Sequence, residues 1–97
     1  MRFIEEMAER MDEELDGAEE YAEGAHLYKE DHPMLAKHMH DMSIDELRHA
    51  QYISDAACAY IKENPERQEL KHVWDFIRKQ GDRRIERISK MLEKFRG

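Results

Sequence analysis

The sequence predicts an all-α protein: an antiparallel helical hairpin followed by a third long helix, in one domain spanning residues 1–97. Three observations point there. Glycine (4) and proline (2) are scarce among the 97 residues, leaving few places for the chain to turn. Hydrophobic residues make up 40% and charged residues another 40%, a mixture that suits long amphipathic helices rather than a β-sandwich or a flexible tail. The apolar residues recur at helical spacing, with no strand-like alternation.

The elements follow from the breakers. Asp31-His32-Pro33 offers an N-cap candidate beside a proline suited to a first helical turn. Asn64-Pro65-Glu66 offers a capping Asn, a Pro at the first helical position and an acid at the positive helix end. Gly81 weakens a helix without stopping it. Helices are therefore expected over about 2–29, 33–62 and 66–95, each on the order of 40–45 Å long. Joints this short make neighbouring helices antiparallel.

A chain of this size rarely holds itself together with its own core, so disulfides, metal or self-association are the usual supplements. Cys58 is the only cysteine, which excludes an internal disulfide and fits a reducing, cytoplasmic location. The longest apolar run is Ala56–Ile61, so neither a membrane span nor a signal-peptide core is expected.

The net charge of −7 is unevenly spread. Residues 1–65 carry 6 basic against 17 acidic side chains; residues 66–97 carry 10 against 6. The acidic part attracts cations and repels nucleic acid. The basic set of helix 3 (Arg78, Lys79, Arg83, Arg84, Arg87, Lys90, Lys94, Arg96) reads as a solvated face, or one packed against acids of a neighbouring chain. With no aromatic or glycine-rich recognition motif beside it, a nucleic-acid partner is not expected.

At about 100° per residue each helix shows an apolar stripe. In helix 1 it is Ile4, Met7, Met11, Ala18, Ala22 and Ala25, flanked by Tyr21 and Tyr28, with one acid inside it, Glu14. In helix 2 it is Leu35, Met39, Met42, Ala50, Ile53, Ala57 and Tyr60, and within it fall Glu46 and His49. Helix 3 offers Leu70, Val73, Trp74, Ile77, Ile85, Ile88, Met91, Leu92 and Phe95, with no carboxylate. Glu-x-x-His alone is weak: 15 Glu and 6 His make about one such pair by chance, and there are three. Glu23/His26 and Glu69/His72 point outward and read as surface pairs. His26, His32, His38 and His40, near the first joint, read as exposed helix-end residues rather than a ligand set. The seven methionines are mainly stripe residues that fill core space.

Folding helices 1 and 2 about a joint near residue 31 puts Glu14 level with residue 48, between Glu46 and His49. Three polar side chains thus share one height. Burying carboxylates without partners costs several kcal/mol each, and no Lys or Arg lies in either stripe, so a metal ion is the expected partner. Three ligands leave a site incomplete, while the chain is too short for four helices of this length. A twofold axis beside the site supplies the same three again: four carboxylates and two imidazoles for two cations, a set that suits Fe or Mn, with Zn as a competitor. A four-helix di-metal bundle completed by dimerisation has this composition.

Residues 10–53, with Glu14 and Tyr21 seven apart and the Glu46-x-x-His49-Ala step, resemble one half of a ferritin-like protein. The rubrerythrin and encapsulated-ferritin branches are most similar. The resemblance implies a di-iron site across a homodimer or larger homo-oligomer, with two ions per dimer. It implies oxidation of Fe(II) to Fe(III) by dioxygen or peroxide, feeding iron storage or detoxification. Carried over, Glu14 is the lone helix-1 ligand, Glu46 the bridging ligand, His49 the nitrogen ligand and Tyr21 the tyrosine near the metals. It further implies an encapsulating shell protein as partner. The chain departs from encapsulated ferritins at Glu20, where their signature has Trp, and shows no recognisable C-terminal encapsulation peptide. It has no cysteine-rich iron module like that of rubrerythrin, so self-contained electron transfer is not expected. The alternative from a different class is a non-catalytic helical metal-binding or interaction module with a structural metal; a nucleic-acid use of helix 3 is a third.

Overall fold

The computed structural model describes residues 2–96, and of Arg96 the backbone alone. It consists of α1 (Arg2–Tyr28), α2 (Pro33–Glu63) and α3 (Gln68–Arg96), with no strand among the described residues. They form a rod with Cα extents of 54 × 17 × 15 Å. No helix is long and apolar enough to cross a membrane among the described residues.

α1 and α2 form the hairpin, and small residues at heptad spacing are what bring them together. Ala36, Ser43, Ala50 and Ala57, each seven residues apart, are all buried along α2. They face Ile4, Met11, Ala18 and Ala25 of α1, which repeat at the same interval, with Leu15 and Ala22 beside them. A seven-residue repeat keeps one seam facing its partner over the whole helix. The Ser43 hydroxyl donates to the Ala18 carbonyl at 2.6 Å, across helices that only short side chains allow so near. Leu15, fully buried, belongs to this core and was absent from the expected stripe of helix 1.

The α2 stripe needs a correction. Its buried line is Ala36, His40, Ser43, Ala50, Ser54 and Ala57. Leu35 is 44% exposed, and Met39, Met42, Ile53 and Tyr60 are half-buried. The larger apolar residues of α2 occupy the flank of the seam, because opposite Ile4, Met11 and Leu15 of α1 the contact leaves α2 room only for small side chains.

α3 runs parallel to α1 and lies over one side of the hairpin. Leu70 and Trp74 join Ile4, Met11, Leu15, Ala50 and Ala57 in one core cluster; Ile88 and Leu92 join Ala18 and Ala22 in a second. Nine apolar residues expected to face inward from α3 are buried or half-buried, and Gly81 is buried against Met11 and Leu15. The basic face of α3 finds acids of its own chain. Arg84 donates to Asp16 at 2.6 Å and Asp12 at 3.4 Å, and Arg87 donates to Glu19 at 2.6 Å. The side chain of Arg96 lies outside the described residues.

The joints explain two further differences. α2 starts at Pro33 as expected, but His32 holds the N-cap position and makes no side-chain cap. Asn64 ends α2 instead of starting α3: its side-chain amide donates to the Tyr60 carbonyl at 2.8 Å and its backbone N–H to the Ile61 carbonyl at 3.1 Å. The unsatisfied carbonyls of the preceding helix end take the donor first, so α3 begins at Gln68 rather than near 66. Glu69 then serves the α3 start. A hydrogen bond from its own backbone N–H, followed by one from Arg67, holds its carboxyl below the usual range.

Two histidines fasten the far end of α3. Nε2 of His26 donates to the Met91 carbonyl at 2.7 Å, and Nε2 of His40 to the Leu92 carbonyl at 3.1 Å. A carbonyl only accepts, so both Nε2 atoms carry the proton. His40, expected to be exposed, is instead buried, because it stacks on Phe95 at 4.8 Å under the end of α3. These contacts account for two of the four histidines near the first joint; His32 and His38 are exposed.

Candidate metal centre

The antiparallel register sets Glu14 of α1 against His49 of α2, and Gly17 against Glu46. Glu14, Glu46 and His49 offer one ligand atom each, and the three atoms all lie within 4.8 Å of one another. Nδ1 of His49 is 3.4 Å from Oε2 of Glu14 and 3.7 Å from Oε1 of Glu46. Both carboxylates are partly covered, with side chains 28% and 26% exposed, while the imidazole is 50% exposed.

The three residues do not sit in the closed core. α3 meets the hairpin through Asp12, Asp16 and Glu19 of α1 and through His40, Ile44 and Leu47 of α2. At about 100° per residue, Glu14, Glu46 and His49 fall on the other side of the α1–α2 seam. The cluster therefore lines the open edge of the hairpin, a correction to the expectation that Glu46 and His49 face fully inward.

Electrostatics marks the cluster as short of positive charge. The pKa of Glu46 is raised, first by its hydrogen bond with Glu14, then by burial and by repulsion from Glu14; His49 opposes the shift. No Lys or Arg pairs with either carboxylate among the described residues. One imidazole, even when protonated, leaves two ionised carboxylates with a net negative charge. Two oxygen donors and one nitrogen donor, gathered with an uncompensated charge, are a donor set that fits a divalent first-row cation.

The shape of the wall fits as well. A Cβ added to Gly17 would lie 3.0 Å from Oε2 of Glu46, so the carboxylate rests against bare α1 backbone. Sequence reasoning missed both Gly17 and Ser43 as parts of this arrangement. The readable signal was the heptad row Ala36, Ser43, Ala50, Ala57, which marks where α1 must lie.

Tyr21 is half-buried two turns along α1 from Glu14, and no hydrogen bond links its hydroxyl to the cluster among the described residues. The other Glu-x-x-His pairs are engaged elsewhere or exposed. Glu23 and His72 are exposed, His26 holds α3, and Glu69 pairs with Arg67 at 3.0 Å. Comparison with protein-family models, curated proteins and solved structures returns no match.

Proposed function

We propose that two copies of this chain form a ferritin-like di-iron centre that oxidises Fe(II) to Fe(III) with dioxygen or peroxide. The observation that carries the proposal is the meeting of Glu14, Glu46 and His49 at the open edge of the hairpin. Three donors leave a cation with vacant positions, and the edge on which they lie is free to receive a second copy. A twofold axis there brings together four carboxylates and two imidazoles, and two divalent cations balance the four carboxylate charges. The flank residues Leu35, Met39, Met42 and Ile53, exposed or half-buried in one copy, supply apolar area for that contact. Mn and Zn are competitors for the same donors.

Fe(II) is the substrate, and each ion gives up one electron. Dioxygen takes two electrons and two protons to become hydrogen peroxide; peroxide takes two and two to become water. The chain's part is to gather the ions and to favour the more positive product. Glu14 and Glu46 contribute negative charge, and His49 contributes a neutral nitrogen donor. Because Glu14 and burial raise the pKa of Glu46, a proton and a cation compete for its carboxylate, and cation binding is favoured as pH rises.

Aerobic Fe(II) oxidation by the purified protein, with iron analysis, tests this. Glu14→Ala and Glu46→Ala abolish oxidation, whereas Glu23→Ala and Glu69→Ala leave it intact. A folded protein that oxidises iron no faster than buffer contradicts the proposal. A bound, redox-silent metal whose removal leaves the oligomer unchanged favours the structural-metal module instead.

A further inference from the structure

Gly17 stands in the interior of α1, three residues beyond Glu14, where glycine is a poor helix former beside alanine. Its neighbour across the seam is the end of Glu46. A Cβ at this position would meet Oε2 at 3.0 Å, Cδ at 3.6 Å and Cγ at 3.7 Å. Without a bound ion, the Glu46 side chain on the open edge need give by only a few tenths of an ångström to admit that Cβ. Once its carboxylate is fixed as a ligand beside Glu14 and His49, that freedom is gone.

We propose that Gly17 is a positioning residue for the metal centre: its missing side chain lets the Glu46 carboxylate settle between α1 and His49. A methyl group there is tolerated by the metal-free fold and rejected by the loaded one. This rests on the metal-binding reading of Glu14, Glu46 and His49. The cost of the methyl group is conditional on the ligand, which separates positioning from ordinary packing.

Gly24, one heptad further along α1, is the control. A Cβ there would lie 2.6 Å from Cε and 2.8 Å from Sδ of Met39, nearer than at Gly17, but both belong to the far end of a flexible thioether that can swing aside. Steric distance alone makes Gly24→Ala the more harmful substitution; the positioning role makes Gly17→Ala so for metal alone.

The experiment compares wild type, Gly17→Ala and Gly24→Ala in two measurements. One is thermal melting in chelator; the other is titration with Co(II), followed by its visible absorption. Both substitutions raise the metal-free Tm by about 2–8 °C, as replacing a helical glycine does in a domain of this size. Gly17→Ala weakens Co(II) binding by about 10–100-fold, the usual effect of disturbing a residue that orients a ligand; Gly24→Ala keeps wild-type affinity. Equal affinity for wild type and Gly17→Ala overturns the inference, as does an equal loss in both variants or a lowered metal-free Tm for Gly17→Ala. Failure of the wild type itself to bind Co(II) overturns the metal-binding reading and the inference together, so the two failures are told apart.

Discussion

Replacing Glu46 by Gln removes one of two neighbouring carboxylate charges and should act in opposite directions on the metal-free and metal-loaded protein. The ligand atoms of Glu14 and Glu46 lie within 4.8 Å of each other. Two unit charges at that separation repel by about 1 kcal/mol in a water-like dielectric and about 3.5 kcal/mol at an effective value of 20. Both side chains are about a quarter exposed and His49 lies beside them, so the lower figure applies. Metal-free Glu46→Gln should therefore be more stable than wild type at pH 7 by about 1 kcal/mol, or about 4–8 °C in Tm. The sign of the pH dependence follows from the raised pKa of Glu46. Stability linked to its protonated form is present below the ordinary carboxylate pKa of 4.5 and is lost as pH rises through the folded-state value. The advantage of the variant should thus be absent in acid and grow as pH rises through the folded-state value. Adding Co(II) should invert the order, because wild type gains stability by binding it and the variant does not. Calorimetric melting across pH, with chelator and with Co(II), measures all three. A variant that melts at or below wild type in chelator at pH 7 would show that the two carboxylates do not repel, and one that gains as much from Co(II) that Glu46 is not a ligand.

Other positions give separate tests. Ser43→Leu places a large side chain where the Ser43 hydroxyl now meets the Ala18 carbonyl. It should cost about 1–3 kcal/mol by overpacking and weaken Co(II) binding by parting Glu14 from His49; unchanged denaturant unfolding would show that the seam is looser than described. His40→Ala removes the Phe95 stack and the bond to the Leu92 carbonyl. Hydrogen exchange should quicken in the last turns of α3 and not in α1, and uniform protection loss would contradict a local anchor. Trp74→Ala empties a fully enclosed core position and should destabilise by about 3–5 kcal/mol in urea; a loss under 1 kcal/mol would mean the core is mis-described. Arg84→Ala breaks exposed pairs to Asp12 and Asp16, so a loss of only about 0.2–1 kcal/mol, shrinking with salt, is expected.

Much of the architecture was legible because few residues decide it. Pro33 and the short joint fix the hairpin, and with it the height at which Glu14, Glu46 and His49 meet. The rotation of α2 was not legible from apolar size. Leu35, Met39 and Met42 outweigh alanine and serine in any stripe, yet Ala36, Ser43, Ala50 and Ala57 form the contact because α1 approaches too closely for larger side chains. The role of Asn64 was ambiguous for a related reason: one amide can serve either flanking helix, and only the local geometry shows it serving Tyr60. Which side of the hairpin α3 covers depends on Leu70, Trp74, Ile88 and Leu92 meeting Leu15, Ala18, Ala22 and Leu47, a packing between distant residues that periodicity within one helix does not encode.

On the proposed reading, one chain carries half of a metal centre. Anomalous X-ray scattering from Fe(II)-loaded crystals would locate the bound iron. Two iron ions are expected beside a twofold axis, held by Glu14, Glu46 and His49 from each of two copies. Iron held within a single chain, or bound away from these three residues, would contradict that reading.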